Sequence, residues 1–164
     1  MGVITVEKIT SLSPPILLLF VYEIARAYDY MKIMVCGSIG YGGIDQVRET
    51  YLFLRNEGFD IVDNVVSKCM DYSRIKDFRN RKALSHRIVT YDLELIKKTD
   101  VLVVLSTRPS YGTGIEAYIA RNSGKYVILF AKSPVPTPWP IEFSDYIVQN
   151  EDELIKVLYK LKKI

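Results

Sequence analysis

From Met31 onward the chain alternates short apolar runs with longer amphipathic stretches. Lys32-Ile33-Met34-Val35-Cys36 is too short for a helix and runs into a glycine-rich turn, which predicts a buried strand. A helical pattern from Asp45 to Asn56 is stopped by Gly58, and Phe59–Val62 predicts a second short strand. Residues 71–87, DYSRIKDFRNRKALSHR, are polar and strongly basic, with no strand period. A helix is predicted over Ser85–Thr99, a strand over Val101–Leu105, a helix over Gly114–Asn122 and a strand over Tyr126–Ala131. The proline-rich SPVPTPWP reads as a loop, Tyr146–Val148 as a fifth strand and Glu151–Lys162 as a final helix. Short apolar strands alternating with helices predict an α/β fold. Its form is a Rossmann-like (flavodoxin-like) five-stranded parallel sheet with helices on both faces. Ligands of such sheets bind at the carboxyl ends of the strands, where the glycine loops 37–43 and 112–114 are expected to lie.

Residues 1–30 read as an N-terminal extension to a domain over 31–164. The apolar run Ile16–Tyr22 falls far short of the roughly 20 residues that span a bilayer. It could pass for a signal-peptide core with Ala25-Arg26-Ala27 as cleavage site. However, Glu7 and Lys8 leave the front end without net positive charge and Glu23 interrupts the approach, so a short helix begun near Pro14-Pro15 is expected. No membrane association is predicted.

Composition narrows the picture only slightly. At 164 residues, with 49% hydrophobic and 25% charged residues, the chain suits one globular domain with its own core. A net charge of +3 is too small to argue for a nucleic-acid partner. Cys36, Cys69 and His86 are too few for a Cys/His zinc site and do not suggest a disulfide framework, so a reducing cytoplasm is the expected setting.

Two carboxylates stand out. In SHRIVTYDLELIKKT, helical spacing puts Ile88, Val89, Leu93, Leu95 and Ile96 on one apolar face, with Asp92 near its middle. A carboxyl pointing inward must be paired, hydrogen-bonded or protonated, and its pKa tends to rise. It is either bonded to backbone donors of a neighbouring loop or a general acid at the strand ends. Glu116 lies two residues beyond Gly112-Thr113-Gly114. Thr113-Gly114-Ile115-Glu116 fits a Ser/Thr-x-x-Glu capping box, a purely structural reading. Alternatively Glu116 faces the same crevice as Asp92, and two carboxyls flanking one pocket are what glycosidic cleavage requires. GSIGYGG offers backbone N–H groups and the Ser38 hydroxyl to an anion. It is not G-x-G-x-x-G, so a dinucleotide site with Asp63 as ribose ligand is not favoured.

Together these pieces resemble the nucleoside 2-deoxyribosyltransferase superfamily, and most closely its 2′-deoxynucleoside 5′-monophosphate N-glycosidase branch. The residues that carry the resemblance are Cys36-Gly37-Ser38-Ile39-Gly40-Tyr41-Gly42-Gly43, Asp92-Leu93-Glu94-Leu95-Ile96 and Arg108-Pro109-Ser110-Tyr111-Gly112-Thr113-Gly114-Ile115-Glu116. They span about residues 32–131. The branch's arginine after Cys-Gly-Ser-Ile is absent, with Gly40 or Tyr41 in its place, and Met34 replaces its tyrosine. The second loop also resembles that of cytokinin-type nucleotide phosphoribohydrolases, which changes the sugar and not the reaction class.

The resemblance implies hydrolysis of deoxynucleoside monophosphates to free base and 2-deoxyribose 5-phosphate through a covalent glycosyl-enzyme. It makes Glu116 the nucleophile and Asp92 the residue assisting the leaving base. Substrate would be held by Cys36, Gly37, Ser38, Ile39, Gly40, Tyr41 and Gly42 of the first loop and by Ser110, Gly112 and Gly114 of the second, with Ser38 and Ser110 on the phosphate. It further implies a homodimer with shared active sites, and neither metal nor organic cofactor. The alternatives are deoxyribosyl transfer between bases, or a non-enzymatic nucleotide- or RNA-binding module using the basic, tyrosine-containing segment 72–87.

Overall fold

The computed structural model describes residues 31–40, 43–62, 71–106 and 108–162. The expected extension 1–30, with its Ile16–Tyr22 run, lies outside the described residues, as do Tyr41, Gly42, Asp63 and Cys69.

In chain order the elements are β1 (Lys32–Cys36), α1 (Ile44–Asn56), β2 (Asp60–Val62), α2 (Lys82–Lys97) and β3 (Val101–Leu105). They continue with α3 (Tyr111–Asn122), β4 (Tyr126–Phe130), α4 (Trp139–Glu142), β5 (Tyr146–Val148) and α5 (Glu151–Leu161). The strands form one sheet in the order β2-β1-β3-β4-β5, every pair parallel. This is the flavodoxin-like order, whose switch point lies between β1 and β3.

The central strands are buried on both faces, hence their unbroken apolar runs. Strand alternation splits the core in two. Ile33, Val35, Val101, Val103 and Leu105 pack with Val47 and Leu54 of α1 and Leu154 and Leu158 of α5. Met34, Cys36, Leu102 and Val104 pack with Leu95 and Ile96 of α2 and Ala117 and Ala120 of α3. The side chain of Cys36 therefore shares a face of the sheet with α2 and α3. The start of α5 is fixed by Asn150, which accepts from Glu153 N at 2.9 Å, while Glu153 takes Gln149 N at 2.8 Å.

Three expectations are corrected. Helix α3 begins at Tyr111, so Gly112 and Gly114 sit inside its first turns instead of in a loop before it. Helix α2 begins at Lys82 and takes in the end of the basic segment. The Pro-rich stretch ends in the short helix α4, with Pro140 in its first turn, where a missing N–H costs nothing. No described helix is long and apolar enough to cross a membrane.

Candidate active site

Loops 37–43 and 106–110 leave the carboxyl ends of β1 and β3, the two sides of the switch point. In the first, Gly37 and Gly43 are required by packing. A side chain at Gly43 would meet the Ser38 carbonyl oxygen at 1.9 Å, and one at Gly37 would press on Val47 and Leu105 at 3.0 and 3.2 Å. Gly40 faces open space. Ser38 is 8% exposed, and its hydroxyl donates to Gly40 O at 3.3 Å, inside its own loop. Ile39 packs on the core beside α1.

At the second loop, Ser110 is the N-cap residue of α3, extended at φ −142° and ψ 132°, with no capping bond from its hydroxyl. The first-turn amides that follow are left without intrahelical acceptors, an arrangement suited to an anion. Gly114 has open space where a side chain would stand, and at Gly112 the nearest atom is the Ser110 hydroxyl oxygen at 3.8 Å.

The capping-box reading of Glu116 does not hold. Thr113 lies within the helix, not at its cap, and its buried hydroxyl has no hydrogen-bond partner. Glu116, a turn further on, has its carboxyl in dense surroundings against β1, although the residue as a whole keeps some exposure. Burial, then repulsion from Asp92, push its pKa up to about 7, and a hydrogen bond from the Cys36 thiol draws it back. Burial pushes Asp92, half-buried on α2, up to about 6. Burial first, then Glu116 and Asp92, raise the Cys36 thiol well above its usual range, so it remains a neutral donor. Asp92, Glu116 and Cys36 are thus one electrostatic cluster.

The inward position of Asp92 matches the helical pattern, whereas Val89, expected beside it on the apolar face, is 55% exposed. The structure adds a member that sequence reasoning missed. Tyr72 is half-buried, and its phenol is raised to about 12 by burial and then by Glu116 and Asp92. No periodicity marks it. Its basic neighbours Arg74, Lys76, Arg79, Arg81 and Lys82 are exposed, and Arg79 is paired with Asp77 at 2.8 Å, as a solvated face would have them.

A separate cavity of about 350 Å³ opens toward α1, lined by residues including Thr50, Phe53, Ser106 and Phe130. It contains neither carboxyl of the pair, and on its rim Lys132 is paired with Glu151. Among the described residues no group of acids, cysteines or histidines is placed to hold a metal ion.

No family model and no curated protein matches the chain. Among solved structures, it is similar to the 2-deoxyribosyltransferase of Bacillus psychrosaccharolyticus, a biocatalyst for nucleoside synthesis, at 16% identity and TM-score 0.58. That likeness covers 77% of this chain and 95% of the other. A structure from Salmonella typhimurium LT2 assigned as a phosphosugar isomerase shares 19% identity at TM-score 0.46, over 81% of this chain and 34% of its own. The chain therefore has the fold of a 2-deoxyribosyltransferase, with two acidic side chains brought together at its switch point.

Proposed function

We propose that the protein cleaves the N-glycosidic bond of 2′-deoxynucleoside 5′-monophosphates, releasing free base and 2-deoxyribose 5-phosphate. The observation that carries this reading is the Asp92–Glu116 pair at the switch point of the sheet, two carboxyls raised by burial, Glu116 also by repulsion from Asp92. Between about pH 6 and 7 such a pair holds roughly one proton, so it offers one carboxylate and one acid together. The Cys36 thiol donates to Glu116 and draws its pKa back. With Glu116 at about 7 and Asp92 at about 6, the shared proton nevertheless rests mainly on Glu116, so the reactive form, with the proton on Asp92, is the minor one of the pair. The ionised Glu116 oxygen attacks C1′ and the C1′–N bond breaks. Its electron pair leaves with the base, which takes the proton from Asp92. Asp92, now ionised, accepts a proton from water as that water attacks C1′, and Glu116 is released as the carboxylate.

The phosphate is assigned to Ser110, Ser38 and the free amides at the start of α3, the sugar to the open ground over Gly40, Gly112 and Gly114. We further propose a homodimer with shared sites in a reducing cytoplasm. Support comes from the free thiol of Cys36 and from an unusually exposed apolar surface. Tyr111 is 96% exposed, and Ile115, Tyr118 and Trp139 on α3 and α4 are exposed as well.

The second reading is deoxyribosyl transfer, favoured by the fold shared with a 2-deoxyribosyltransferase. It differs only in whether a second base, instead of water, resolves the glycosyl-enzyme. Incubation with deoxynucleosides and their monophosphates, with and without a second base, separates the two. Free base and sugar phosphate without an acceptor support hydrolysis. A new nucleoside formed only with an acceptor supports transfer, and no reaction under either condition refutes both.

A further inference from the structure

We propose that the cavity of about 350 Å³ between α1 and the ends of β3 and β4 is a second ligand site, separate from the carboxyl pair. Its occupant is a neutral, planar heteroaromatic ring bearing an exocyclic amino group, of the kind found in adenine and cytosine. The assignment does not depend on the role given to Glu116.

Strand alternation sets the cavity apart. Leu105 and Phe130 end β3 and β4 on the face of the sheet covered by α1 and α5, whereas α3, which carries Glu116, packs on the other face through Ala117 and Ala120. On α1, Ile44, Val47, Tyr51 and Leu54 are buried. The stripe beside them, Gln46, Glu49, Thr50 and Phe53 at i, i+3, i+4 and i+7, lines the cavity. The sheet side contributes Ser106 and Ser133, beyond the ends of the two strands. Ligands of parallel sheets bind at this end, and the volume lies within the range of small-molecule sites, roughly 300–1,000 Å³.

The lining selects the occupant. Its cation, Lys132, is already engaged: it pairs with Glu151, and its ammonium lies 5.3 Å from the centroid of the Phe130 ring. A phosphate or carboxylate would therefore meet Glu49 and Glu151 without a free counter-charge. A cation would find the Phe130 ring already faced by that ammonium. A purely apolar molecule would strip water from Gln46, Glu49 and the two serines and replace none of its hydrogen bonds. What suits the cavity is a flat ring that packs on Phe53 and Phe130 and has polar edges. The Glu49 carboxylate offers only acceptors, so one edge must bring a donor, while the Gln46 amide offers both. Glutamine pairs with the N6/N7 edge of adenine, and glutamate accepts from N4 of cytosine. Thymine carries a carbonyl oxygen where cytosine has its amino group, and would set acceptor against acceptor.

Equilibrium dialysis of adenine, cytosine and thymine against the parent, Glu49→Ala and Glu116→Gln measures the affinity. Photolabelling with 8-azidoadenine followed by peptide mapping locates the site. Adenine and cytosine should bind at least about tenfold more tightly than thymine. Glu49 is exposed on a helix, where alanine is well tolerated, so Glu49→Ala should fold normally. It should weaken adenine and cytosine by about ten- to a hundredfold, the equivalent of one hydrogen bond to a charged group. Glu116→Gln should bind as the parent does. The label should fall on α1 between Gln46 and Phe53, on Leu105–Ser106 or on Phe130–Ser133. Binding of no base, equal binding of thymine, unchanged affinity in Glu49→Ala, lost affinity in Glu116→Gln, or a label confined to the crevice of Asp92 and Glu116 overturns the proposal. If the parent releases no base from any substrate, the proposed reaction fails, and the dialysis and the label still decide whether this cavity is a site.

Discussion

Glu116→Gln should make the protein inactive and more stable at once, with the gain confined to neutral and alkaline pH. The carboxyl is raised from an ordinary 4.5 to about 7 by burial and by Asp92. The folded protein therefore binds the Glu116 proton more tightly than the unfolded chain, and stability falls as pH rises from about 4.5 to about 7. A difference of about 2.5 pH units, at 1.36 kcal/mol each, sets an upper bound of about 3 kcal/mol lost once the group is ionised. A neutral amide of the same shape escapes that loss, although it still has to bury a polar group, so a gain of about 1–3 kcal/mol is expected at pH 8. For a chain of this size that raises Tm by roughly 3–10 °C. Thermal melts of parent and variant at pH 8 and pH 4.5 check it. The variant should melt higher at pH 8 and level with the parent at pH 4.5, and should release no base at either. Equal melting at pH 8, or a gap that does not change with pH, would refute the buried, repelled state assigned to Glu116. Near-normal turnover would refute its role as nucleophile.

Asp92→Asn should lower turnover on natural bases by roughly 10²–10⁴-fold, the reach of general acid catalysis, while a substrate with an activated leaving group loses far less. Equal losses on both in steady-state assays would make Asp92 a sugar-orienting or structural residue. The pH profile of kcat/KM should be a bell with its maximum between about 6 and 7, because below that range both acids are protonated and above it both are ionised. A profile still rising at pH 9 would contradict the shared proton. Ser110→Ala should reduce kcat/KM for the monophosphate by roughly ten- to a hundredfold and leave the unphosphorylated deoxynucleoside almost unaffected. If both substrates suffer alike, the serine does not hold the phosphate.

What was legible in the chain depended on how local its cause is. Val101–Leu105 is buried on both faces, and its strand bounds follow from the apolar run alone. Asp92 was legible because 100° spacing locates it whatever the rest of the fold does. The start of α3 was not. Gly112 and Gly114 read as a turn, but an extended Ser110 ahead of them lets the helix begin at Tyr111, and neither glycine needs a left-handed conformation. That early start moves Glu116 away from the cap and toward Cys36. The position of Val89 also failed, since its side of α2 lacks a covering element among the described residues. Tyr72 was illegible for the strongest reason. The segment is held by an ion pair between the preceding Asp71 and Arg48, 23 residues away, and Tyr72 itself by a ring contact with Phe78, and no periodicity encodes either.

The central claim is that Glu116 becomes covalently bonded to the sugar. The most direct measurement is intact-protein and peptide mass spectrometry after incubation with a 2′-fluorinated deoxynucleoside monophosphate, whose glycosyl-enzyme should break down slowly. A gain of one sugar phosphate, localised to Glu116 and absent from Glu116→Gln, is the result predicted here. Stoichiometric release of base with no adduct, or an adduct on any other side chain, would contradict it.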